Sequence, residues 1–463
     1  MFKMSIKEKN LRKSEFAKVF KKDDVIAVYH PFSQELIFGN SDLLKLLNSF
    51  EKIEKVSSII EKLNLNDNDI EVIEKLYDKE FLVDENYDEN KVIEKVRSKL
   101  PQEPDFSTLY LILTEKCNFD CKYCFVVQRM EHKPEPMGIG TAKKAIEFFV
   151  KHASNTANEH NVVFYGGEPL LNFEALEFSV EYLKKSNNFK KLNLSIVTNG
   201  SLVTEEIAKF LCDNKISVSV SLDGFKEIDN KMRIYPSGEG TFDDTIRGFK
   251  LLKNIGCNVG ISCTIGIHNV DELEEITEYF INDLGVKRIG FNLMHIEESS
   301  PFHVPMDYAT EKMIKAFEIA REKGVYLDPI MKHIKPFVER KLHLYDCTGC
   351  GQELTITPDG SVGPCHAFIG NQKFFKGNIY DENYDPHKDK VFREWSKRSP
   401  INMENCLDCS KISICGGGCA YNAYINKGSI WEKDPQACIH SDEILEWMIW
   451  WYMENKMENL ILF

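Results

Sequence analysis

The sequence has no apolar run long enough to cross a bilayer. The longest uninterrupted one near the C-terminus, Trp447 to Met453, falls far short of the roughly 20 residues that a spanning helix needs. It has no surplus of positive charge either: 58 Lys and Arg stand against 72 Asp and Glu, a formal charge of −14. Nucleic acid and anionic membrane both reward basic surfaces, so neither is expected as the main partner. Met1 to Asn10 is charged and lacks the apolar core of a secretory signal, so a cytoplasmic protein is expected. What is present is 463 residues, 43% apolar and 28% charged. That is the composition of a soluble globular protein, in a chain too long for one ordinary core, and it predicts two to four domains.

Disulfides are rare in the cytoplasm, so the 14 cysteines read as metal ligands or catalytic groups. Three fall within eight residues, Cys117-Asn118-Phe119-Asp120-Cys121-Lys122-Tyr123-Cys124, on the loop leaving a predicted strand. Eight more lie between 347 and 438: Cys347, Cys350, Cys365, Cys406, Cys409, Cys415, Cys419 and Cys438. Cys212, Cys257 and Cys263 sit in apolar settings and read as small buried hydrophobes. A cubane iron–sulfur cluster usually takes four thiolates, so three from one tight loop would leave one iron open to a cofactor. Zinc sites, or unrelated buried thiols, remain alternatives on spacing alone.

Taken in order, residues 1 to about 20 are predicted to be poorly ordered. Val25–Tyr29 and Glu35–Phe38 read as a hairpin. Helices are predicted at Ser41–Phe50 with Ser41 as N-cap, Val56–Leu63 and Asp69–Lys79, then a returning strand at Phe81–Val83. From Leu109 strands alternate with helices, implying parallel β/α units. The strands are Leu109–Leu113, Asn161–Phe164, Leu192–Val197, Ser217–Ser221, Asn258–Ile265 and Arg288–Asn292. Residues 297–345 read as a helical linker. Thr357–Cys365 is a hairpin whose Pro-Asp-Gly turn delivers a cysteine.

The C-x3-C-x2-C loop, with an aromatic before its last cysteine, resembles the cluster motif of the radical S-adenosylmethionine (SAM) enzymes. Tyr165-Gly166-Gly167-Glu168-Pro169, after the second strand, resembles their GGEP motif, and six β/α units resemble their partial (β/α)6 barrel. The resemblance runs from about Leu109 to Cys438. It implies a 4Fe–4S cluster on Cys117, Cys121 and Cys124, with SAM on the open iron. Gly166, Gly167 and Glu168 would meet the SAM amino group, Ser221 and Arg233 its carboxylate, and Tyr123 the adenine. Asn199 and Asp223 would contact ribose or substrate. Asn292 and His295 are expected to face the cavity without an assigned role. One-electron cleavage of SAM then gives a 5′-deoxyadenosyl radical that takes a hydrogen atom from substrate.

The C-terminal cysteines resemble the SPASM extension with two auxiliary clusters. Its interleaved wiring implies Cys347, Cys350, Cys365 and Cys419 for one, and Cys406, Cys409, Cys415 and Cys438 for the other. The N-terminal hairpin and helices resemble a winged-helix domain that binds the leader of a ribosomally made precursor peptide by strand addition. A packing appendage or a DNA-binding winged helix are the alternatives, and the acidic run Asp84–Asn90 disfavours DNA. The expected organisation is therefore an α/β protein: a recognition domain at 1–95, the barrel at 105–310, a linker at 311–345, the SPASM domain at 346–440 and a helix at 441–463. A flavodoxin- or ferredoxin-type electron donor is implied. The string from Cys365-His366-Ala367-Phe368 to Gly377-Asn378-Ile379 resembles thioether-forming peptide maturases most. Carbon–carbon cyclophane formation is one alternative, and a zinc-binding docking protein another. Formylglycine formation, as in anaerobic sulfatase-maturing enzymes, is disfavoured because His366 stands where those enzymes carry an acid.

Overall fold

The computed structural model describes residues 5–186 and 189–455; part of the expected C-terminal helix, 456–463, lies outside them. Six parallel strands form the centre: β1 (Thr108–Thr114), β2 (His160–Gly166), β3 (Leu192–Thr198), β4 (Ser217–Ser221), β5 (Val259–Ile265) and β6 (Arg288–Leu293). Each matches its predicted strand to within two residues at either end. Helices Ile139–His152, Phe173–Ser186, Glu205–Asp213, Phe242–Ile255, Leu273–Asn282 and Met306–Glu322 follow the strands in turn. β4 shows why the strands close round a wet interior: in Ser-Val-Ser-Val-Ser the valines are fully buried and the serines half-buried. Alternation puts the valines under the helices and the serines on the other face.

The sheet does not end with the barrel. Tyr326–Leu327 pairs with β6, so the linker region holds a strand between its helices. At the other edge Glu353–Ile356 pairs in parallel with β1, from Glu353 opposite Thr108 to Ile356 opposite Leu111. Ser361–Gly363 and Gly377–Asn378 add antiparallel strands beyond it, giving ten in all. The cysteine-rich segment is thus hydrogen-bonded onto the barrel. Gly360 takes φ +84° in its turn, where L side chains are strained. The final helix begins at Pro435, ahead of the expected 441, and so carries Cys438 in its first turn.

The N-terminal module has more sheet than predicted. Residues expected to be poorly ordered form Asn10–Lys13, between Glu54–Lys55 and Leu82–Asp84, and Lys18–Lys22, which pairs with the hairpin Val25–His30/Glu35–Gly39. Their density of lysine hides a strand whose apolar positions are few: Leu11 is fully buried. The helix Ser41–Asn48 is capped by Asn40 and not Ser41, the Asn40 side chain accepting from the Asp42 amide. Asp67–Asp78 starts at a capping box of Asn66 and Asp69. Along Val25–His30, Ile26 and Val28 enter the module's own core, with Leu47, Phe50, Ile73 and Phe81. Ala27 and Tyr29 enter the main core of the molecule. Tyr29 packs on Phe337 and bonds Ser413 at 2.8 Å, and Phe38 stacks on Tyr452 of the final helix. One strand therefore serves two cores, which fixes the module to the rest.

Candidate active site

The carboxyl ends of the six strands surround a cavity of about 300 Å³. Cys117, Cys121 and Cys124 all line it, as do Tyr123, Gly166, Gly167, Glu168, Asn199, Ser221, Arg233, Asn292 and His295. Every residue singled out for the barrel site from the sequence is on that wall except Asp223, which lies behind it, fully buried. Asp223 accepts from the Tyr123 hydroxyl at 2.6 Å and the Thr264 amide at 2.9 Å, and His268 Nε2 is 3.4 Å away. Arg233 Nη1 donates in turn to the Tyr123 hydroxyl at 2.8 Å. Burial works against the Asp223 charge, but His268 and Arg233 hold its carboxyl below the usual range. Asp223 is thus a positioning group for Tyr123 and, through it, for Arg233.

The glycines have a nearer neighbour than a ligand. A Cβ on Gly166 would lie 2.0 Å from the Thr114 carbonyl oxygen, and one on Gly167 2.2 Å from that of Lys116. Both oxygens belong to the end of β1 just before Cys117, and Gly167 N and Glu168 N donate to them at 2.8 and 2.9 Å. Glu168 is equally committed: it accepts from Leu170 N, Thr198 Oγ1 and Asn199 N at 3.0, 2.7 and 2.7 Å. The motif therefore zips the ends of β1, β2 and β3 together and sets the cysteine loop. Further along that loop, Asp120 N and Lys122 N donate to Ile234 O and Met232 O.

The site fits a cluster and a charged cofactor. Burial pushes the Cys117 and Cys121 thiols up to about 12 and raises Cys124, so three thiolates need a positive group among them. Arg233 is buried and lines the cavity; its Nε makes no hydrogen bond and stands 3.9 Å from Asp229 Oδ1, and the guanidinium charge suits an anionic group such as a carboxylate in the cavity.

Further wall residues were given no role in the sequence. His366 stacks on Tyr110 with ring centres 4.1 Å apart, and its Nδ1 lies 3.1 Å from Glu353. Glu353 also accepts from His366 N, Thr348 and Thr355. Tyr165, Ser262 and Thr264 also line the cavity. The signal for the last two was the polar alternation of β5, Ser262 and Thr264 flanking the fully buried Cys263.

The eight C-terminal cysteines fall into two groups. Cys347 and Cys350 share a hydrogen bond that raises the first and lowers the second. Beyond burial, Cys365 is raised by Cys347 and Cys419, and Cys419 by Cys347. Cys406, pushed by burial to about 11, also feels Cys415 and Cys409, while Cys438 feels Cys406 and Cys409, and Cys415 feels Cys438. Arg398 passes between them, fully buried, donating to Gly417 O and Gly418 O at 2.9 and 2.6 Å.

The profile of the Radical SAM superfamily matches residues 111–280. The chain is similar along nearly its whole length to "Radical SAM cyclopropyl synthase TigE" of Paramaledivibacter caminithermalis, 24% identical over 94% of both chains. It is 30% identical to a "cysteine-type anaerobic sulfatase-maturating enzyme" of Clostridium perfringens, over 68% of this chain and 89% of that one. Its fold is similar to that of Streptococcus suis SuiB bound to the precursor peptide SuiA, with a TM-score of 0.55 at 15% identity, over 92% of this chain and 99% of that one. Among the described residues no helix is long and apolar enough to cross a membrane. The chain belongs to the radical SAM superfamily, whose members bind a 4Fe–4S cluster and S-adenosylmethionine.

Proposed function

We propose that this enzyme closes a ring in a ribosomally made precursor peptide by removing two hydrogens from it. The observation that carries this reading is the single cavity of about 300 Å³ lined by three thiols of one loop, by Arg233 and by His366 and Tyr110. Cys117, Cys121 and Cys124 would hold the cluster, with Ser221 and Arg233 at the SAM carboxylate. When bound, the pair supplies a carbon radical able to take a hydrogen atom from a peptide C–H. The protein's part is to hold that carbon against the radical and to take up what leaves.

A cysteine thioether is the product we propose. Closing sulfur onto the radical carbon releases the thiol proton and one electron. His366 Nδ1 is tied to Glu353, which leaves Nε2 to receive the proton. The two C-terminal cysteine groups would be auxiliary clusters of a SPASM domain at 346–440, one of them taking the electron, with a flavodoxin- or ferredoxin-type donor for the barrel cluster. The module at 1–95 would bind the leader peptide; SuiB, of similar fold, carries its precursor SuiA. Residues 311–345 would link barrel and SPASM domain, and 441–463 would close the chain. Similarity over the full length to a cyclopropyl synthase favours a second reading, carbon–carbon ring closure.

Mass spectrometry of the reacted precursor, before and after alkylation, tests both. Thioether closure gives a loss of two hydrogens and one cysteine that no longer alkylates. The same mass loss with every cysteine free moves the assignment to carbon–carbon closure, and a peptide unchanged in mass sinks the reading.

A further inference from the structure

His152 ends the helix Ile139–His152 beside β1, and Asp385 and His387 lie on the loop before the helix Lys390–Ser396. One donor atom from each of the three lies within 4.8 Å of the other two. His152 Nδ1 stands 3.7 Å from Asp385 Oδ1. That is too long for a hydrogen bond, but it is close to the spacing of two donors on one ion: tetrahedral ligands at zinc distances stand about 3.3–3.6 Å apart. His152 Nε2 is buried with no partner.

The His387 ring gives a separate reason. Its Nδ1 is 3.1 Å from Pro104 O, and its Nε2 is 3.1 Å from His152 O. A neutral imidazole has one N–H, so one of these contacts sets lone pair against lone pair unless a cation stands beside it. An N–H from Nδ1 to Pro104 O, leaving Nε2 as donor, is the usual arrangement of a metal-ligating histidine. Asp385 keeps Oδ1 for the same point. It receives the His387 amide there at 3.0 Å, while Lys388 Nζ lies 3.1 Å from Oδ2.

We propose that His152, Asp385 and His387 bind a divalent cation of the zinc type, with the His152 carbonyl oxygen as the fourth donor. Two imidazoles and a carboxylate without thiolate suit zinc and its first-row neighbours. Phe106 and Phe148 pack on the two rings, with centres 4.9 and 4.6 Å away, and shield the site on that side. Such an ion would clip the first barrel helix to the C-terminal segment, away from the cavity, and the assignment does not rest on the reaction proposed above.

The test uses full-length protein, purified anaerobically with its clusters reconstituted, given Zn²⁺ and passed through a weak chelator. Zinc and iron are then counted by mass spectrometry in wild type, His387→Gln and Asp385→Asn. The expected result is about one zinc more per chain in wild type than in either variant, with iron equal in all three. Added Zn²⁺ should also raise the melting temperature of wild type but not of the variants. Equal zinc in the three proteins means that any zinc sits on cysteines, and it overturns the proposal. No zinc and no thermal shift in wild type overturns it as well.

Discussion

The two cysteine-bearing regions reach similar ends by opposite means. In the barrel, three cysteines come from eight consecutive residues, and the chain's work goes into fixing one loop: Gly166 and Gly167 press on Thr114 and Lys116, and Asp120 and Lys122 hang from the strand-to-helix turn after β4. In the C-terminal segment, eight cysteines are gathered from turns, a 3₁₀ helix and, for Cys438, the first turn of the final helix, with one buried cation, Arg398, beside Cys350 and Cys406. A local site depends on one tight backbone contact, whereas a dispersed site depends on many moderate ones. The two should fail differently when disturbed.

The largest expected effect separates the regions outright. Cys121→Ala should abolish SAM cleavage altogether, while Cys438→Ala should keep uncoupled cleavage and lose the crosslinked peptide. Counting 5′-deoxyadenosine against modified peptide reads both, and equal behaviour of the two variants would erase the distinction. Next comes Gly167→Ala. Its Cβ meets backbone, which cannot swing aside, so the cost should reach or exceed the ~1–3 kcal/mol of ordinary overpacking, with iron lost from the barrel. Denaturant unfolding and iron content measure it.

Tyr123→Phe should act more gently. It removes the link between Asp223 and Arg233, hydrogen bonds of a kind worth about 1.5–3 kcal/mol, so SAM affinity should fall about tenfold or more. Iron content should stay at the wild-type level, and equilibrium binding of SAM with unchanged affinity would remove Tyr123 from the relay.

The smallest effect is one of sign. Burial raises the Asp229 carboxyl to about 7, above its unfolded value, so between pH 4 and 7 the folded chain holds a proton that the unfolded chain has lost. Barrel stability therefore falls as pH rises through that window. Burial lowers His333, under the final helix, to about 4, so below about 6.5 the unfolded chain binds the extra proton and stability there falls as pH drops. Melting curves between pH 5 and 7 should steepen toward acid for Asp229→Asn and flatten for His333→Gln.

Most of the barrel was legible because its strands are short apolar runs between helical periods, and the cysteine loop because its spacing is local. Asn10–Lys13 and Lys18–Lys22 were not, since basic segments with one buried position or none carry almost no period-two signal. Gly166 and Gly167 were read as contacts for the SAM amino group, and sequence gives no sign that their nearest neighbour is the adjoining strand end. Asp223 was placed at a strand end without a sign that its side chain turns away from the cavity. His268, its buried neighbour, follows a strand by three residues and has no local pattern at all. His366 was noticed for what it replaces; only the pairing with Glu353 gives it a task.

The pairing of Glu353–Ile356 with β1 has a consequence for synthesis. The two strands are about 245 residues apart in the chain, and at roughly 5–20 residues per second the ribosome needs about 12–50 s to make the second after the first. Throughout that interval only the carboxyl end of the outer edge of β1 is covered, by residues 135–137, and the stretch Thr108–Leu111 has no strand partner. Unpaired edges invite other strands, so a nascent chain stalled before residue 353 would be prone to aggregate, and a fragment cut at the end of the profile match would carry that open edge permanently.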